Sequence, residues 1–385
     1  MSTLQRNLPE LDAEVCVIGA GVVGCAAALA LARRGASVVL LEAEPEPGLA
    51  ASGTNSGIVH TGFDSTPGEL ETELILRSAA LRDPVAEALG VPLLRCGAVL
   101  RPLRDEQRPA VAALAANAER NGVPAAVDGE GALHVPGEAV TDPVAYTLAL
   151  ADAARRHGAE LRTGFSVAGL GRAGDGLVVD DPGGERVRCR VAVNCAGLHA
   201  DEVARLAGDE SFEVYPRKGE FLVFEPPDGK PLERILLPVP TKRTKGVLVF
   251  PTLDGMIVAG PTAVDEEDKG DWAVRPEARE KILPMAAAMH PPLEGAEPLA
   301  AYAGLRPAGR GMNYLIGPSS ACDGLVNVAA IRSTGLTASL GIAERVCHLV
   351  EGLGIRLASE RPLERGEPTL PALPWWRRTA EHVAG

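Results

Sequence analysis

The sequence has no surplus of basic residues and no closely spaced pair of cysteines, and both absences exclude classes of function. Its 38 lysine and arginine residues are outnumbered by 51 aspartate and glutamate residues, so the formal net charge is −13 at pH 7. Such a chain lacks the basic face that a nucleic-acid partner requires. The seven cysteines include no Cys-x-x-Cys spacing. We therefore expect small core residues rather than disulfides, zinc ligands or cluster ligands, and no metal site.

The sequence also lacks a long uninterrupted hydrophobic run. Residues 15–32 carry no charge, but three glycines divide them into one strand and one short helix. The segment before them has neither a basic n-region nor a small-residue cleavage site. No internal repeat is visible. These observations predict a cytoplasmic protein, and 385 residues suffice for two or three domains with a large core.

A glycine-rich motif near the N-terminus is the first feature that points to a ligand. Residues 14–24 read Glu-Val-Cys-Val-Ile-Gly-Ala-Gly-Val-Val-Gly, which predicts a strand, a Gly-x-Gly-x-x-Gly turn and a helix. Gly19 would form the tight turn, Gly21 would let the backbone approach a pyrophosphate, and Gly24 would let the helix pack closely on the strand. Free N–H groups at the helix N-terminus would bind the phosphates.

An acidic residue completes this motif. Glu42 ends a second apolar strand, residues 37–41, roughly 20 residues after the glycines. A carboxylate at this position can accept hydrogen bonds from an adenosine ribose, which favours a ribose without a 2′-phosphate. The combination predicts a dinucleotide site and leaves NAD and FAD as alternatives. A glycine-rich turn in another α/β fold is the competing interpretation.

Two further stretches have the small residues that let backbone lie against a cofactor. Residues 50–62 are dense in glycine, serine and threonine, and a short buried strand within them leads His60 inward. A flexible surface loop is the alternative for this stretch. Residues 332–337 form a second Gly/Ser/Thr turn, between a buried strand at 325–330 and a helix at 338–353.

Strand and helix signals along the rest of the chain predict an α/β fold with an inserted α+β part. Helices are expected over residues 70–89 and 104–121, and Asp142 with Pro143 should begin a third that runs to residue 157. Strands are expected at residues 160–162, around Val167 and at 190–197, and consecutive antiparallel strands over 213–262 and 299–306. The expected division assigns residues 12–82, 140–212 and 307–360 to a discontinuous Rossmann-like cofactor domain, 83–139 and 213–306 to a substrate domain with an antiparallel sheet, and 361–385 to a tail.

Seven motifs together resemble the D-amino-acid-oxidase-like flavoprotein oxidoreductases. They lie at residues 17–24, 55–62, 194–198, 217–221, 238–265, 304–307 and 335–339, within a resemblance that covers residues 12–352. The most similar branch contains FAD-dependent glycerol-3-phosphate dehydrogenases or oxidases and L-2-hydroxyglutarate oxidases. The resemblance implies that the cofactor is FAD rather than NAD.

The resemblance also implies where FAD contacts the chain. The ADP half would lie on the glycine motif and Glu42, the middle of the cofactor on residues 52–56, and the isoalloxazine edge on 335–337. The complete set of expected cofactor residues is Gly19, Gly21, Val22, Val23, Gly24, Glu42, Ala43, Ser52, Thr54, Asn55, Ser56, Gly57, Val167, Ala196, Gly197, Gly335, Leu336 and Thr337.

His60 is the predicted catalytic base. It matches the position that faces the flavin in this branch. Oxidation of a secondary alcohol removes the hydroxyl proton while a hydride leaves carbon for flavin N5, so a base whose pKa lies near the working pH should lie beside the ring. The alternative is that His60 only hydrogen-bonds the flavin or the backbone.

Arginine is the residue expected to hold a phosphate or carboxylate, because its guanidinium forms paired hydrogen bonds to either group. Arg306, at the end of an inward strand, is the first candidate, followed by Arg332 and Lys245. Lys245 belongs to a basic turn, residues 242–245, that is equally consistent with solvent exposure. Arg332 stands where relatives often carry Glu, in the pattern Glu-Ser-Pro-Gly, and Asn313 stands where they often carry Asp.

These observations predict an FAD enzyme that oxidises a small anionic 2-hydroxy substrate and passes electrons to an external acceptor, which could be oxygen, a quinone or a protein. Glycerol 3-phosphate is the first candidate and L-2-hydroxyglutarate the second. The alternatives are an amine or amino-acid oxidase and a flavin-bearing subunit that relays electrons. The pair Trp375–Trp376, beside two arginines, could contact a membrane surface, although packing on the body or a neighbouring subunit is the preferred interpretation.

Overall fold

The computed structural model of the chain describes residues 11–240, 246–366 and 371–384. The α-helices in these residues are α1 Val22–Arg33, α2 Leu70–Leu89, α3 Arg108–Arg120, α4 Pro143–Arg156, α5 Ala200–Leu206, α6 Glu277–Met289, α7 Gly335–Gly352 and α8 Trp375–Ala384. Short 3₁₀ helices lie at Asp105–Gln107, Gly197–His199, Pro227–Gly229 and Pro291–Leu293. No helix within the described ranges has the length and apolar character needed to cross a bilayer.

The strands of the described residues form three sheets of eight, nine and three strands. In chain order, β1 to β20 cover Ala13–Ile18, Val38–Leu41, Ile58–Val59, Leu93–Leu94, Ala98–Leu100, Ala126–Val127, Leu133–Val135, Ala139–Thr141, Glu160–Arg162, Gly169–Ala173, Gly176–Asp180, Arg186–Asn194, Val214–Phe224, Ile235–Leu237, Leu248–Pro251, Ile257–Gly260, Val264–Asp265, Ala300–Gly309, Leu315–Pro318 and Leu325–Ala329.

The eight-stranded sheet carries the glycine motif at its centre. Strand β1 pairs in parallel with β2 on one side and β12 on the other, and β12 also pairs in parallel with β20. Strands β2 and β20 are buried throughout and β1 nearly so, as expected where helices cover both faces of a parallel sheet. Helix α1 packs against α4 and α7, and α2 packs against α7. The α/β class predicted from the sequence is thereby confirmed.

The nine-stranded sheet is antiparallel except for one pair. Its order is β17-β13-β16-β15-β14-β5-β7-β6, with β18 alongside β13. Strand β14 joins the earlier segment through a parallel pairing with β5. Strands from segments 83–139 and 213–306 thus share one sheet, although the domain boundaries themselves stay a prediction.

The three-stranded sheet brings the histidine segment next to a distant part of the chain. Strand β8 pairs antiparallel with both β3 and β4, and the register places Val59 opposite Ala139. Both residues of β3 are buried. His60 directly follows β3 and Glu138 directly precedes β8. Because the strands are antiparallel, these two residues lie at the same end of the strand pair.

Two local expectations are wrong, and each has a backbone reason. Val167 does not lie in a strand, because β10 begins at Gly169 and the preceding chain instead bonds to the end of β2, where Phe165 N–H donates to the Glu42 carbonyl at 2.8 Å. Residues 335–337 are not a turn before the last core helix. They are its first turn, since Ala338 N–H already donates to the Thr334 carbonyl at 2.8 Å.

The described part of the tail is ordered against the body. Trp375 and Trp376 begin helix α8 and both side chains are buried. The Trp375 ring meets Tyr302 edge to face at 5.5 Å, and the indole N–H of Trp376 donates to Asp254 at 3.0 Å. The packing interpretation is correct for this chain, and the buried tryptophans offer no surface to a membrane.

Candidate active site

The glycine turn has the close contacts that the motif predicts. Gly19 has a positive φ of 98°, and a Cβ at this position would lie 2.6 Å from the carbonyl oxygen of Cys195. A Cβ on Gly24 would overlap the carbonyl oxygen of Gly19. Only glycine fits either position without displacing backbone. The turn is therefore packed against the end of β12, which places Ala196 and Gly197 beside it.

The N-terminus of α1 is open to a polar partner outside the helix. Its cap residue, Gly21, has no side chain to accept hydrogen bonds from the first turn. Instead, the Val22 N–H donates to the hydroxyl oxygen of Ser52 at 2.9 Å. This contact brings the loop of residues 50–57 to the positive end of the helix dipole. Ser52 and the glycine turn, 30 residues apart in sequence, are neighbours here.

Glu42 lies at the end of β2 with its carboxylate turned toward the glycine turn. It accepts hydrogen bonds from Ala20 N–H at 2.7 Å and from Glu44 N–H at 3.0 Å. Burial raises the pKa of Glu42, although these backbone donors act in the opposite direction. The acidic group expected for ribose recognition is thus next to the turn, and Phe165 is hydrogen-bonded at the same strand end.

The loop of residues 52–57 also meets the start of α7. The side-chain amide of Asn55 donates to the carbonyl oxygen of Ser333 at 3.4 Å, and His60 N–H donates to the Thr337 hydroxyl at 3.1 Å. On its other side the loop approaches the nine-stranded sheet, because a Cβ on Gly304 would lie 2.9 Å from Thr54. The segments predicted to contact the middle of the cofactor and its isoalloxazine edge are thereby joined.

A cavity of about 600 Å³ lies where these segments meet the nine-stranded sheet. Residues 54–56, His60 and 332–334 line it together with Arg217 and Arg306, which belong to the nine-stranded sheet. The rest of the lining combines apolar side chains such as Phe221 and Phe250 with acidic ones such as Glu69 and Glu71. A concave site that combines apolar walls with polar groups is typical of a small-molecule pocket.

His60 is paired with a carboxylate that sequence reasoning missed. Its Nδ1 lies 2.8 Å from Oε2 of Glu138, whose side chain is 0% exposed. The other carboxylate oxygen, Oε1, accepts from the Thr61 N–H at 2.6 Å and from the Thr61 hydroxyl at 2.8 Å. The one available signal was a charged residue directly before the apolar strand β8. Only the pairing of β8 with β3 shows that this charged residue lies beside His60.

Arg306 is anchored by backbone rather than by a carboxylate. Its Nε donates to the Arg217 carbonyl at 3.0 Å, and its Nη2 donates to the carbonyls of Lys218 and Thr262 at 3.1 and 2.8 Å. Within the described ranges, it forms no ion pair. Burial, followed by the neighbouring charge of Arg217, lowers the pKa of Arg306 to about 10, so the guanidinium is still charged at neutral pH.

Arg332 lies at the rim of the cavity. It is exposed, and its Nε donates to Oδ1 of Asn313 at 3.3 Å. Asn313 in turn donates to Glu71 at 2.6 Å, and the Thr334 hydroxyl donates to the same carboxylate at 2.7 Å. Arg332 and Asn313, the two residues that depart from the family pattern, are therefore in contact with each other. Lys245, the third predicted cation, lies outside the described residues.

The family model described as "FAD dependent oxidoreductase" (DAO) matches residues 14–349. The chain belongs to this family. Members of the FAD dependent oxidoreductase family carry FAD, so the protein is an FAD-dependent oxidoreductase and the predicted cofactor is confirmed. The match includes the glycine turn, the His60 loop, strand β18 with Arg306, and most of α7.

Relatives with named activities fall in the branch that the motifs predicted. A glycerol 3-phosphate dehydrogenase of Caloramator mitchellensis is 27% identical over 378 residues, which cover 94% of this chain and 78% of that protein. The human mitochondrial L-2-hydroxyglutarate dehydrogenase is 29% identical over 289 residues, which cover 67% of this chain and 62% of that protein.

The fold also matches a solved structure of the same family. The L-alpha-glycerophosphate oxidase of Mycoplasma pneumoniae, reduced with dithionite and with FAD bound, superposes with a TM-score of 0.86 and 26% identity. The similarity covers 94% of this chain and 99% of that chain. The inserted antiparallel sheet is therefore part of an architecture that this chain and an FAD-bound oxidase have in common.

Proposed function

We propose that this protein dehydrogenates a small anionic 2-hydroxy compound, with glycerol 3-phosphate as the first candidate. The observation that carries the proposal is that His60 and Arg306 line one cavity together with residues 54–56 and 332–334. A proton acceptor and an anion anchor thus line the same small site. The two relatives and the solved structure described above act on compounds of this kind, which supports the choice.

The residues of the glycine turn fit the pyrophosphate of FAD. The contacts of Gly19 and Gly24 leave a turn with no side chain between the backbone and a bound pyrophosphate. We propose that residues 19–24, with Glu42, Ala43 and Val167, hold the ADP half of FAD. Ser52, residues 54–57 and 196–197 would contact its middle, and residues 335–337 the ring edge. When bound, FAD supplies the acceptor for the hydride that leaves the substrate carbon.

Arg306 would fix the substrate through its anionic end. The three carbonyls that hold Nε and Nη2 orient the guanidinium without neutralising it. A phosphate or carboxylate in the cavity would then receive a charge-assisted hydrogen bond from a donor whose position is already set. Because little side-chain entropy remains to be lost, the anchor is well organised before the substrate arrives.

His60 would accept the hydroxyl proton of the substrate. Its backbone is held by Thr337 and its ring by Glu138, so the imidazole is fixed from two elements. General-base catalysis of this kind typically contributes about 10²–10⁴-fold to a rate.

Lys245 stays a predicted substrate-binding cation, the third candidate after Arg306 and Arg332.

L-2-hydroxyglutarate is the second candidate, and Arg332 is the observation that favours it. This guanidinium lines the cavity that Arg306 also lines, so a substrate with two anionic groups could meet both. A substrate with one phosphate needs only Arg306. Loss of Arg332 should therefore affect a dicarboxylate much more than glycerol 3-phosphate.

The deciding experiment is anaerobic reduction of the bound flavin in the intact holoenzyme. The panel contains glycerol 3-phosphate, L-2-hydroxyglutarate, glycine, proline and glycerol. The loss of flavin absorbance after mixing with each compound is measured by stopped flow. Fast bleaching by glycerol 3-phosphate and slow bleaching by neutral glycerol are expected. Bleaching by the amino acids alone would identify an amine oxidase, and bleaching only by a partner protein would identify an electron-relay subunit; either would refute the proposal. Oxygen, a quinone and a protein acceptor can then be compared in reoxidation.

A further inference from the structure

We propose that Glu138 is a positioning residue that fixes which nitrogen of His60 carries the proton. This inference rests on the proposed function, because it concerns the readiness of His60 to act as a base. The residue directly precedes β8, next to His60 in the pairing of β8 with β3, and is 78 positions away from it in sequence. Its carboxylate is completely buried, and it makes three hydrogen bonds that all come from residues 60 and 61.

The hydrogen-bond roles around the carboxylate determine the tautomer. An ionised carboxylate only accepts hydrogen bonds. Oε1 already accepts twice from Thr61, and Oε2 faces Nδ1 of His60 at 2.8 Å. Nδ1 must then carry the hydrogen. In the neutral ring, Nε2 is consequently the unprotonated nitrogen, which is the form that can take a proton from a substrate.

The same carboxylate stabilises the charge that proton transfer creates. When the substrate O–H bond breaks, the proton moves to Nε2 and the ring becomes a cation, while the C–H electron pair leaves with the hydride for FAD. A negative charge 2.8 Å from Nδ1 offsets that positive charge, and it is screened little by water because the Glu138 side chain is 0% exposed. Glu138 therefore acts through His60 and need not contact the substrate.

Replacing Glu138 by Gln tests this role with almost no change in shape. The Thr61 N–H can only donate, so the amide oxygen of the new side chain should take the place of Oε1. The amide NH₂ would then face His60 and donate to Nδ1. This exchange should move the ring hydrogen to Nε2 and leave no nitrogen able to accept the substrate proton.

The first readout is the tautomer itself. In ¹⁵N-histidine-labelled holoenzyme, with His60→Ala used to assign the signal, we expect Nδ1–H for the parent protein and Nε2–H for Glu138→Gln. Thr61→Val is the matched control, because it removes one hydrogen bond to Glu138 but leaves the contact with His60. It should keep Nδ1–H. Nε2–H in the parent protein, or an unchanged tautomer in Glu138→Gln, would overturn the proposal.

The second readout is the rate of flavin reduction. A wrong histidine tautomer costs about 10⁴-fold in kcat in a Ser–His–Asp triad. We expect a loss of roughly 10²–10⁴-fold for Glu138→Gln with little change in KM, and less than about 10-fold for Thr61→Val. If Glu138→Gln loses FAD, Glu138→Asp, which keeps an acceptor-only group, should retain Nδ1–H; Nε2–H there would refute the role.

The two measurements separate this inference from the proposed function. If His60→Ala reduces flavin at the parent rate, the base assignment is wrong, and the tautomer spectra still decide whether Glu138 orients the ring. If His60→Ala is slow while Glu138→Gln has the parent tautomer and rate, the base assignment stands and the positioning role is refuted.

Discussion

Arg306 on β18 is the register partner of Arg217 on β13, and its Nε donates to the carbonyl oxygen of that same residue at 3.0 Å. Two like charges are thereby held side by side on the wall of the cavity. Arg217 is neutralised by Asp265, whereas Arg306 has backbone carbonyls as its partners. The pair thus contains one structural cation and one that is available to an anionic ligand.

Arg306→Gln should raise KM for the anionic substrate by about 10- to 100-fold, since a hydrogen bond to a charged group contributes about 1.5–3 kcal/mol. Steady-state kinetics with glycerol 3-phosphate and with neutral glycerol measures the effect. The matched control is Arg217→Gln, which removes the same charge from the neighbouring strand and should change KM much less. Equal increases for the anionic and neutral substrates would contradict the anchoring role.

Gly24→Ala should abolish or strongly weaken FAD binding. The added Cβ would overlap the Gly19 carbonyl, and overpacking of this kind typically costs about 1–3 kcal/mol. The measurement is the flavin content of the purified protein together with its urea unfolding midpoint. Gly171→Ala is the control, because a Cβ there has no heavy atom within 4 Å. A fully loaded, stable Gly24→Ala protein would show that the turn is not the cofactor cradle.

Trp375→Ala should lower the free energy of unfolding by about 3–5 kcal/mol, because a large buried side chain is removed from its contact with Tyr302. Tyr302 stacks on Phe221 of the cavity wall at 4.8 Å, and Thr379 of α8 donates to the Gly53 carbonyl. We therefore also expect weaker FAD retention. The exposed Arg377→Ala, in the same helix, should change stability by less than about 1 kcal/mol. Equal urea midpoints for the two variants would refute the anchoring of α8.

The stability of the protein should fall between pH 4.5 and pH 2 in part because of Glu220. Burial alone would raise its pKa, but hydrogen bonds from Arg275 and Thr262 outweigh it and lower the pKa of Glu220 from 4.5 to about 2. A lowered carboxyl pKa stabilises the folded state above the unfolded value, and this contribution is lost as the pH falls through that window.

Glu220→Gln should therefore be less stable at pH 7 and lose less on acidification. Urea unfolding at pH 7 and at pH 4, and acid unfolding below, measure both effects. The comparison variant is Glu297→Gln, whose pairing with Arg279 is exposed and should contribute little. A parallel pH dependence for the parent protein and Glu220→Gln would exclude the linkage.

Local patterns in the sequence determined the helices, helix caps and turns, because these depend on residues that are close together in the chain. The helix Leu70–Leu89 has the bounds that its apolar spacing predicts, and Asp142 caps α4 with its carboxylate bonded to the Val144 and Ala145 N–H groups. The glycine turn was equally readable, because its chemistry needs three glycines at fixed spacing. The cofactor and the enzyme class came from the resemblance to a known family that several such motifs together carry.

Tertiary structure decided the features that join distant segments. The contact between His60 and Glu138 exists because β3 pairs with β8, and no local pattern encodes that register. The orientation of Arg306 depends on carbonyls of β13 and residue 262, and α8 packs on the body where Tyr302 of β18 contacts Trp375. Periodicity and turn chemistry act over a few residues. Strand pairing and burial act through space. They place Glu138 against His60, and this contact orients the imidazole ring that the sequence had only identified as a candidate.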